Sequence, residues 1–228
     1  MDINETQPAG ATRREDVEAE AARYALLRRL APVLRHQMVL HLQPLEMIVE
    51  LARRRLASEQ VDLASIRDGI DKIGLFSRAA MAACISSVSW LSDEDEIAIA
   101  VGEGVGECIA VLKSGLSFRG FTIHGAIEGE TAKVSRRTLR SLLATAALGL
   151  SDALPAPFDF SVSIEVGASE AVIQVKALPS LGTGSFFNEK PSRILDWGDL
   201  QALARAEGAH VACHDRLVEI SLPLMEQS

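Results

Sequence analysis

Leu30, Val33, Leu40, Pro44, Met47 and Leu51 recur at alternating spacings of three and four, and Gln37 fills the single polar slot in the series. A stripe with this period specifies a helix and requires a second helix to cover it, because an amphipathic helix alone leaves its apolar face in water. The stripe runs through Leu34-Arg35-His36-Gln37-Met38-Val39-Leu40-His41-Leu42-Gln43-Pro44-Leu45. His36 falls just beside the seam, where an imidazole can reach solvent while its helix is held in a bundle. A histidine that accepts or donates a phosphoryl group needs that placement. His41 flanks the opposite edge of the seam and is read as structural.

The helix is expected to start near Thr12, an N-cap with Glu15 three residues on, and to run to about Ala57. Pro32 and Pro44 lie inside it, and each removes a helical hydrogen bond and favours a kink. A second helix is expected from Val61 to Trp90, with apolar positions including Leu63, Ile66, Ile70, Ile73, Ala80 and Val88. The link Ser58-Glu59-Gln60 is short, so the two helices form an antiparallel hairpin. Two such hairpins bury their stripes by dimerising into a four-helix bundle. Residues 1–12 are polar and expected to be disordered, residues 13–92 form the hairpin, and residues 93–228 form a second domain.

That second domain reads as helix, strand, helix, strand, strand, helix, strand, strand. The predicted elements are a helix over 97–116, a strand over 121–127, a helix over 134–154, strands over 159–166 and 171–177, a helix over 197–207, and a closing hairpin of 210–213 and 216–222. A loop is expected over 180–192, and Gly208 closes the last helix as a C′ residue. The pattern is an α/β sandwich with helices on one face of a mixed sheet, so the whole chain is α+β.

The net charge of −8 argues against nucleic-acid binding, which needs clustered positive charge. Arg28, Arg29, Arg35 and Arg53-Arg54-Arg55 read as a solvated helix face matched to the helix dipole, with a docking patch for an acidic partner as the alternative. Cys84, Cys108 and Cys213 have no metal spacing and fit a reducing cytosol. The mostly apolar run near Leu139–Leu154 carries Arg140 and Asp152 and is too short for a membrane span. A cytoplasmic protein is expected. His124, His210 and His214 are read as strand-edge histidines without metal spacing. Gly102-Glu103-Gly104-Val105-Gly106 does not follow an expected strand and reads as a glycine-weakened or close-packed helix, not a phosphate loop. Lys113 and Arg119 belong to no recognisable constellation, and no Ser-His-Asp set or nucleophile elbow is present.

The hairpin followed by this α/β layer resembles the core of sensor histidine kinases over roughly residues 20–224. In one kinase subgroup the phosphoacceptor motif is His, acidic, apolar, Asn, Asn, any, Leu, any, Pro. His36, Met38, Leu42 and Pro44 match it. The run Trp197–Val211 is similar to the last helix and following strand of the gyrase, chaperone and histidine-kinase ATPase fold, and Val218–Leu224 to its final strand. The resemblance implies that His36 is the phosphoacceptor, framed by Arg35 and Gln37.

The chain departs from the family where nucleotide chemistry resides. The acidic base after the histidine is replaced by Gln37, which cannot take a proton. Leu40 stands where a water-orienting Asn or Thr is usual. Thr145 and Gly149 align with the two metal-binding asparagines of the family, and neither offers an amide oxygen to Mg²⁺. The strand Ile173–Pro179 lacks the adenine-reading Asp, and Gly182-Thr183-Gly184 precedes no helix N-terminus that could hold phosphates. ATP binding is therefore not expected.

The expected protein is a cytoplasmic homodimer and a histidine phosphotransferase. His36 passes a phosphoryl group between receiver-domain aspartates of response regulators, which supply the Mg²⁺. It uses no cofactor of its own, nucleic acid or membrane. The alternatives are a pseudokinase scaffold that binds a regulator or kinase, favoured by Gln37 and Leu40, and a kinase with an atypical ATP site.

Overall fold

A computed structural model describes residues 9–58, 62–91, 97–125, 130–180 and 193–225. They belong to two compact units, Leu30–Asp93 in one and Met1–Arg29 with Glu94–Ser228 in the other. The first helix, α1 (Ala9–Leu56), contributes to both. This differs from the expected division, which placed residues 13–92 together. The reason lies in the stripe Ala19, Ala22, Ala25 and Leu26, which is buried in the α/β unit ahead of the hairpin seam. Helix also reaches back to Ala9, so residues 9–12 are not disordered as expected; residues 1–8 lie outside the described residues.

In the hairpin unit, α1 continues through Pro32 and Pro44 and is followed by α2 (Leu63–Leu91). Asp62 caps α2 by accepting from the Ser65 amide at 3.2 Å. Arg55 Nη1 donates to the Ser65 carbonyl at 3.3 Å, and Ile48 lies opposite Gly69 further along. These pairs fix an antiparallel hairpin with a short link. Leu30, Leu34, Ala80 and Trp90 are buried. Leu40, Met47, Ile70, Met81, Ile85 and Val88 are exposed, so the hairpin leaves an apolar face open.

The α/β unit starts with β1 (Ala98–Ala100) and α3 (Val101–Phe118), then β2 (Phe121–Gly125), β3 (Lys133–Ser135) and α4 (Arg136–Ala153). It continues with β4 (Phe158–Val166), β5 (Glu170–Pro179), α5 (Trp197–Ala206), β6 (His210–His214) and β7 (Leu217–Pro223). The sheet order is β2-β4-β5-β7-β6. β2 pairs parallel with β4, and the other neighbours pair antiparallel. Alternate residues of the strands, among them Ile123, Phe160, Val162, Ile173, Val175 and Ile220, are buried on one face. α4 and α5 contact each other, α4 also contacts β5 and β7, and α3 contacts β2 and α4. The expected one-sided sandwich is therefore present.

β1 and β3 form a separate antiparallel pair that the sequence pattern did not reveal, since three residues are too few for alternation to register. The glycine run thus follows a strand after all. Its helix start is nevertheless closed to phosphate, because the Val101 and Gly102 amides donate to the Ala132 and Glu130 carbonyls at 2.9 and 3.2 Å. Of the two readings for these glycines, close packing holds at Gly104: a Cβ there would stand 2.9 Å from Leu139 Cδ1. The expected strand over 121–127 ends at Gly125, residues 126–129 lie outside the described residues, and so do residues 181–192 of the expected loop.

α4 is capped by Ser135, which accepts from the Thr138 amide at 3.3 Å. α5 carries a capping box in which Asp196 and Asp199 each accept from the other's amide, at 3.0 and 3.2 Å. Gly208 follows α5 at φ +65°, the left-handed conformation a C′ glycine supplies.

Candidate functional site

The helix that carries His36 is held by the burial of Leu30 and Leu34. His36 lies two residues past Leu34, about 200° around the helix at ~100° per residue, and is exposed. Arg35 is exposed beside it and Gln37 is half-buried. Leu40, one turn on, is 52% exposed, and Val39 is 46% exposed. Residues three and four apart share a helix face, so His36, Val39 and Leu40 form one exposed patch, an imidazole bordered by apolar side chains. His41 is half-buried. No acidic residue occurs between Arg29 and Glu46, so no carboxylate on this stretch of helix is placed to act as a base.

In the α/β unit, Thr145 and Gly149 line a cavity of about 210 Å³ with Ala146, Leu150 and Ala153 of α4. Ile194–Trp197 and Leu200 form a second side, and Cys213, Asp215 and Val218 a third. The walls are mostly apolar. Asp196 and Asp215 are the charged lining residues among the described residues, and both are acidic. Thr145 is 1% exposed, and its Oγ1 has no hydrogen-bond partner among the described residues. Among those residues, no group of three or more His, Cys, Asp or Glu side chains is arranged to hold a metal. Among the described residues, the lining has no lysine or arginine to hold phosphates and no amide side chain to hold Mg²⁺.

Three buried or partly buried carboxylates organise the rest of this unit, and the sequence reading missed them. Asp152, fully buried, accepts from Arg29 at 2.6 and 3.0 Å, from the Leu195 amide at 3.1 Å, and pairs with Arg119 at 2.9 Å. Arg29 therefore does not sit on a solvated face. Arg119, which had no constellation in the sequence, also donates to the Ser151 hydroxyl at 2.6 Å and carbonyl at 2.9 Å. Glu207 accepts from Arg23 at 2.6 Å and from Arg137 at 3.0 Å.

Glu107 accepts from Arg136 and, at 2.8 Å, from Arg140. Burial alone would raise the Glu107 pKa, but hydrogen bonds and charge from these two arginines outweigh it and hold the carboxyl below its ordinary range. The same hydrogen bond raises Arg136 against the opposing effect of its burial. Burial in an apolar setting pushes the Cys108 thiol far up, so it is not a nucleophile. The signal available in the sequence was Asp152 in an apolar run, since a charge there needs a partner.

His124, His210 and His214 lie on β2 and β6, all exposed. The three cysteines are free thiols.

No family model matches the sequence, and no curated protein does. Among solved structures, the chain is similar to the histidine kinase AdeS of Acinetobacter baumannii, with 11% identity, TM-score 0.41, and coverage of 79% of this chain and 96% of that one. It is similar to a histidine kinase from Burkholderia phymatum, with 12% identity, TM-score 0.42, and coverage of 93% and 99%. A bacterial phosphotransferase shares 17% identity at TM-score 0.37, with coverage of 87% and 96%. Similarity of this degree transfers no residue role or activity. The chain is an α+β protein with a helical hairpin and a mixed sheet covered by helices on one face.

Proposed function

We propose that this chain is a two-component signalling protein that acts as a histidine phosphotransferase through His36, without ATP. One observation carries the reading: His36 is exposed on a helix whose neighbouring turns are anchored by buried leucines, and exposed apolar side chains border it. A receiver domain could bury Val39 while presenting its aspartyl phosphate to the imidazole.

In the forward step, the Nε2 lone pair of neutral His36 attacks the phosphorus of the aspartyl phosphate. The N–P bond forms as the P–O bond to the carboxylate breaks, and the carboxylate leaves with the bonding electrons. The Nδ1 proton stays on the ring, so the leaving group of the second step is a neutral imidazole. A second receiver aspartate then attacks phosphorus, and the imidazole leaves. Each receiver brings the Mg²⁺ that neutralises the transferring group. Such a transfer asks less of the residue after the histidine than a kinase does, so Gln37 is compatible with it; Arg35 frames the other side.

The open apolar face of the hairpin supports a homodimeric four-helix bundle. Leu63–Trp90 is also long and apolar enough to cross a membrane by length and composition. In this reading its stripe meets a second hairpin in the cytoplasm, in keeping with the free thiols.

A second reading, a scaffold that binds a regulator without chemistry, is favoured by Gln37 and Leu40, neither of which can handle a proton. A kinase with an atypical ATP site has less support, because acidic and apolar side chains line the cavity where its nucleotide would lie.

The test incubates wild type and His36→Ala separately with radiolabelled ATP and with a phosphorylated receiver domain. Label from the receiver that His36→Ala abolishes is the expected result. Label from ATP alone would overturn the proposal, and binding without transfer would favour the scaffold.

A further inference from the structure

The cavity lined by Thr145 and Gly149 selects a different chemistry from the nucleotide of the family this chain resembles. Its volume of about 210 Å³ exceeds the roughly 150 Å³ of an engineered apolar cavity that holds benzene, so an aromatic ring with a short arm has room. Ala146, Leu150 and Val218 supply apolar walls. Thr145 Oγ1, buried and without a hydrogen-bond partner among the described residues, belongs to the same wall.

Charge completes the selection. Among the described residues, the Asp196 and Asp215 carboxylates are the charged groups of the lining, and the Trp197 indole stands with them. Asp196 is engaged by the Asp199 amide, whereas Asp215, on the exposed β6–β7 turn, makes no ion pair among the described residues. Two carboxylates and an aromatic face attract a cation and repel a polyphosphate.

We propose that this cavity binds a small protonated amine with an apolar body, ring inward and ammonium toward Asp215, Asp196 and Trp197. The site is independent of His36, so its failure leaves the phosphotransfer reading untouched.

The probe is phenethylamine, titrated into the full chain by calorimetry. A Trp90→Phe variant leaves Trp197 as the sole indole for a parallel emission titration. Saturable binding is expected. Asp215→Asn, at an exposed position whose φ of 53° asparagine tolerates, should weaken it about tenfold through loss of one charge contact. Ala146→Phe fills the cavity and should abolish binding.

Should Ala146→Phe not fold, Cys213 gives a second readout, because it lines the same cavity while Cys108 is buried. In a Cys84→Ser background, phenethylamine should slow reaction of Cys213 with a thiol reagent, and phenylacetate should not. No saturable binding, equal binding of phenylacetate, tighter binding of Mg·ATP, or affinity unchanged by Asp215→Asn would each overturn the proposal.

Discussion

Arg29 donates to both carboxylate oxygens of Asp152, at 2.6 and 3.0 Å, although 123 positions separate them. The Asp152 side chain is fully buried and that of Arg29 is 14% exposed. Arg119 and the Leu195 amide complete the shell around the carboxylate. The contact attaches the first part of α1 to the last turn of α4. Removing the acid leaves two guanidinium groups facing each other in a partly dry site. Asp152→Ala should therefore destabilise the α/β unit by about 3–5 kcal/mol, the range for breaking a buried pair from one side. Chemical denaturation followed by far-UV circular dichroism measures it. A loss under roughly 1 kcal/mol, the value of an exposed pair, would contradict the assignment.

Glu107 makes the unit sensitive to acid. Its pKa is held below the ordinary glutamate value of 4.5 by Arg136 and Arg140, against the opposing effect of burial. A carboxyl depressed in the folded state contributes stability above its unfolded pKa and loses it as pH falls through the folded value. The stability of wild type should thus fall more steeply with pH below 4.5 than that of Glu107→Gln. At neutral pH the variant should be less stable by about 1.5–3 kcal/mol, as expected for hydrogen bonds to a charged group. Parallel pH–stability slopes for the two proteins would refute the linkage.

Gly104 sits where α3 crosses α4, and a Cβ there would meet both Cδ atoms of Leu139, at 2.9 and 3.3 Å, and Ile99 Cγ2 at 3.2 Å. Leu139 is fully buried, so it has little room to yield. Gly104→Ala gains helix propensity of about 1 kcal/mol, yet overpacking typically costs about 1–3 kcal/mol. Gly104→Val should exceed that cost, since its branches enter the same space. Thermal melting of the two variants orders them: wild type highest, then alanine, then valine. An alanine variant more stable than wild type would mean that the contact relaxes freely.

The legible part of this fold is the part with period. The hairpin, the sheet strands β4, β5 and β7, and α5 with its Gly208 stop follow from helical spacing, alternation and capping residues. β1 and β3 escaped because their three-residue pairing is decided by a partner 37 positions away, Ala98 with Ser135. The division of α1 escaped for a related reason. Ala19, Ala22 and Ala25 are ordinary helix formers in any sequence, and only the α/β unit makes them core. The ion-pair nodes are non-local in the same way, since nothing near Arg119 or Arg23 in sequence identifies Asp152 or Glu207. For the candidate site, the motif singles out His36, and the helical period gives the exposed flank on which it stands. The cavity needed residues from α4, the lead into α5 and the β6–β7 turn to come together.

The apolar face of the hairpin predicts the assembly. Met81 and Ile85 stand one turn apart on α2, 63% and 64% exposed, and Ile70 and Val88 are exposed further along the helix. On α1, Met47 and Leu51 of the original seam are 69% and 45% exposed. A face of this size in water favours association, and a second hairpin offers a matching stripe. The protein should elute as a dimer in size-exclusion chromatography with light scattering. The double substitution Met81→Glu and Ile85→Glu places two charges in that seam and should give a monomer. The α/β unit, whose core lies elsewhere, should keep its melting transition in the variant. A wild-type monomer at all accessible concentrations would remove the four-helix bundle from the reading. A dimer that survives both glutamates would place the interface on another face.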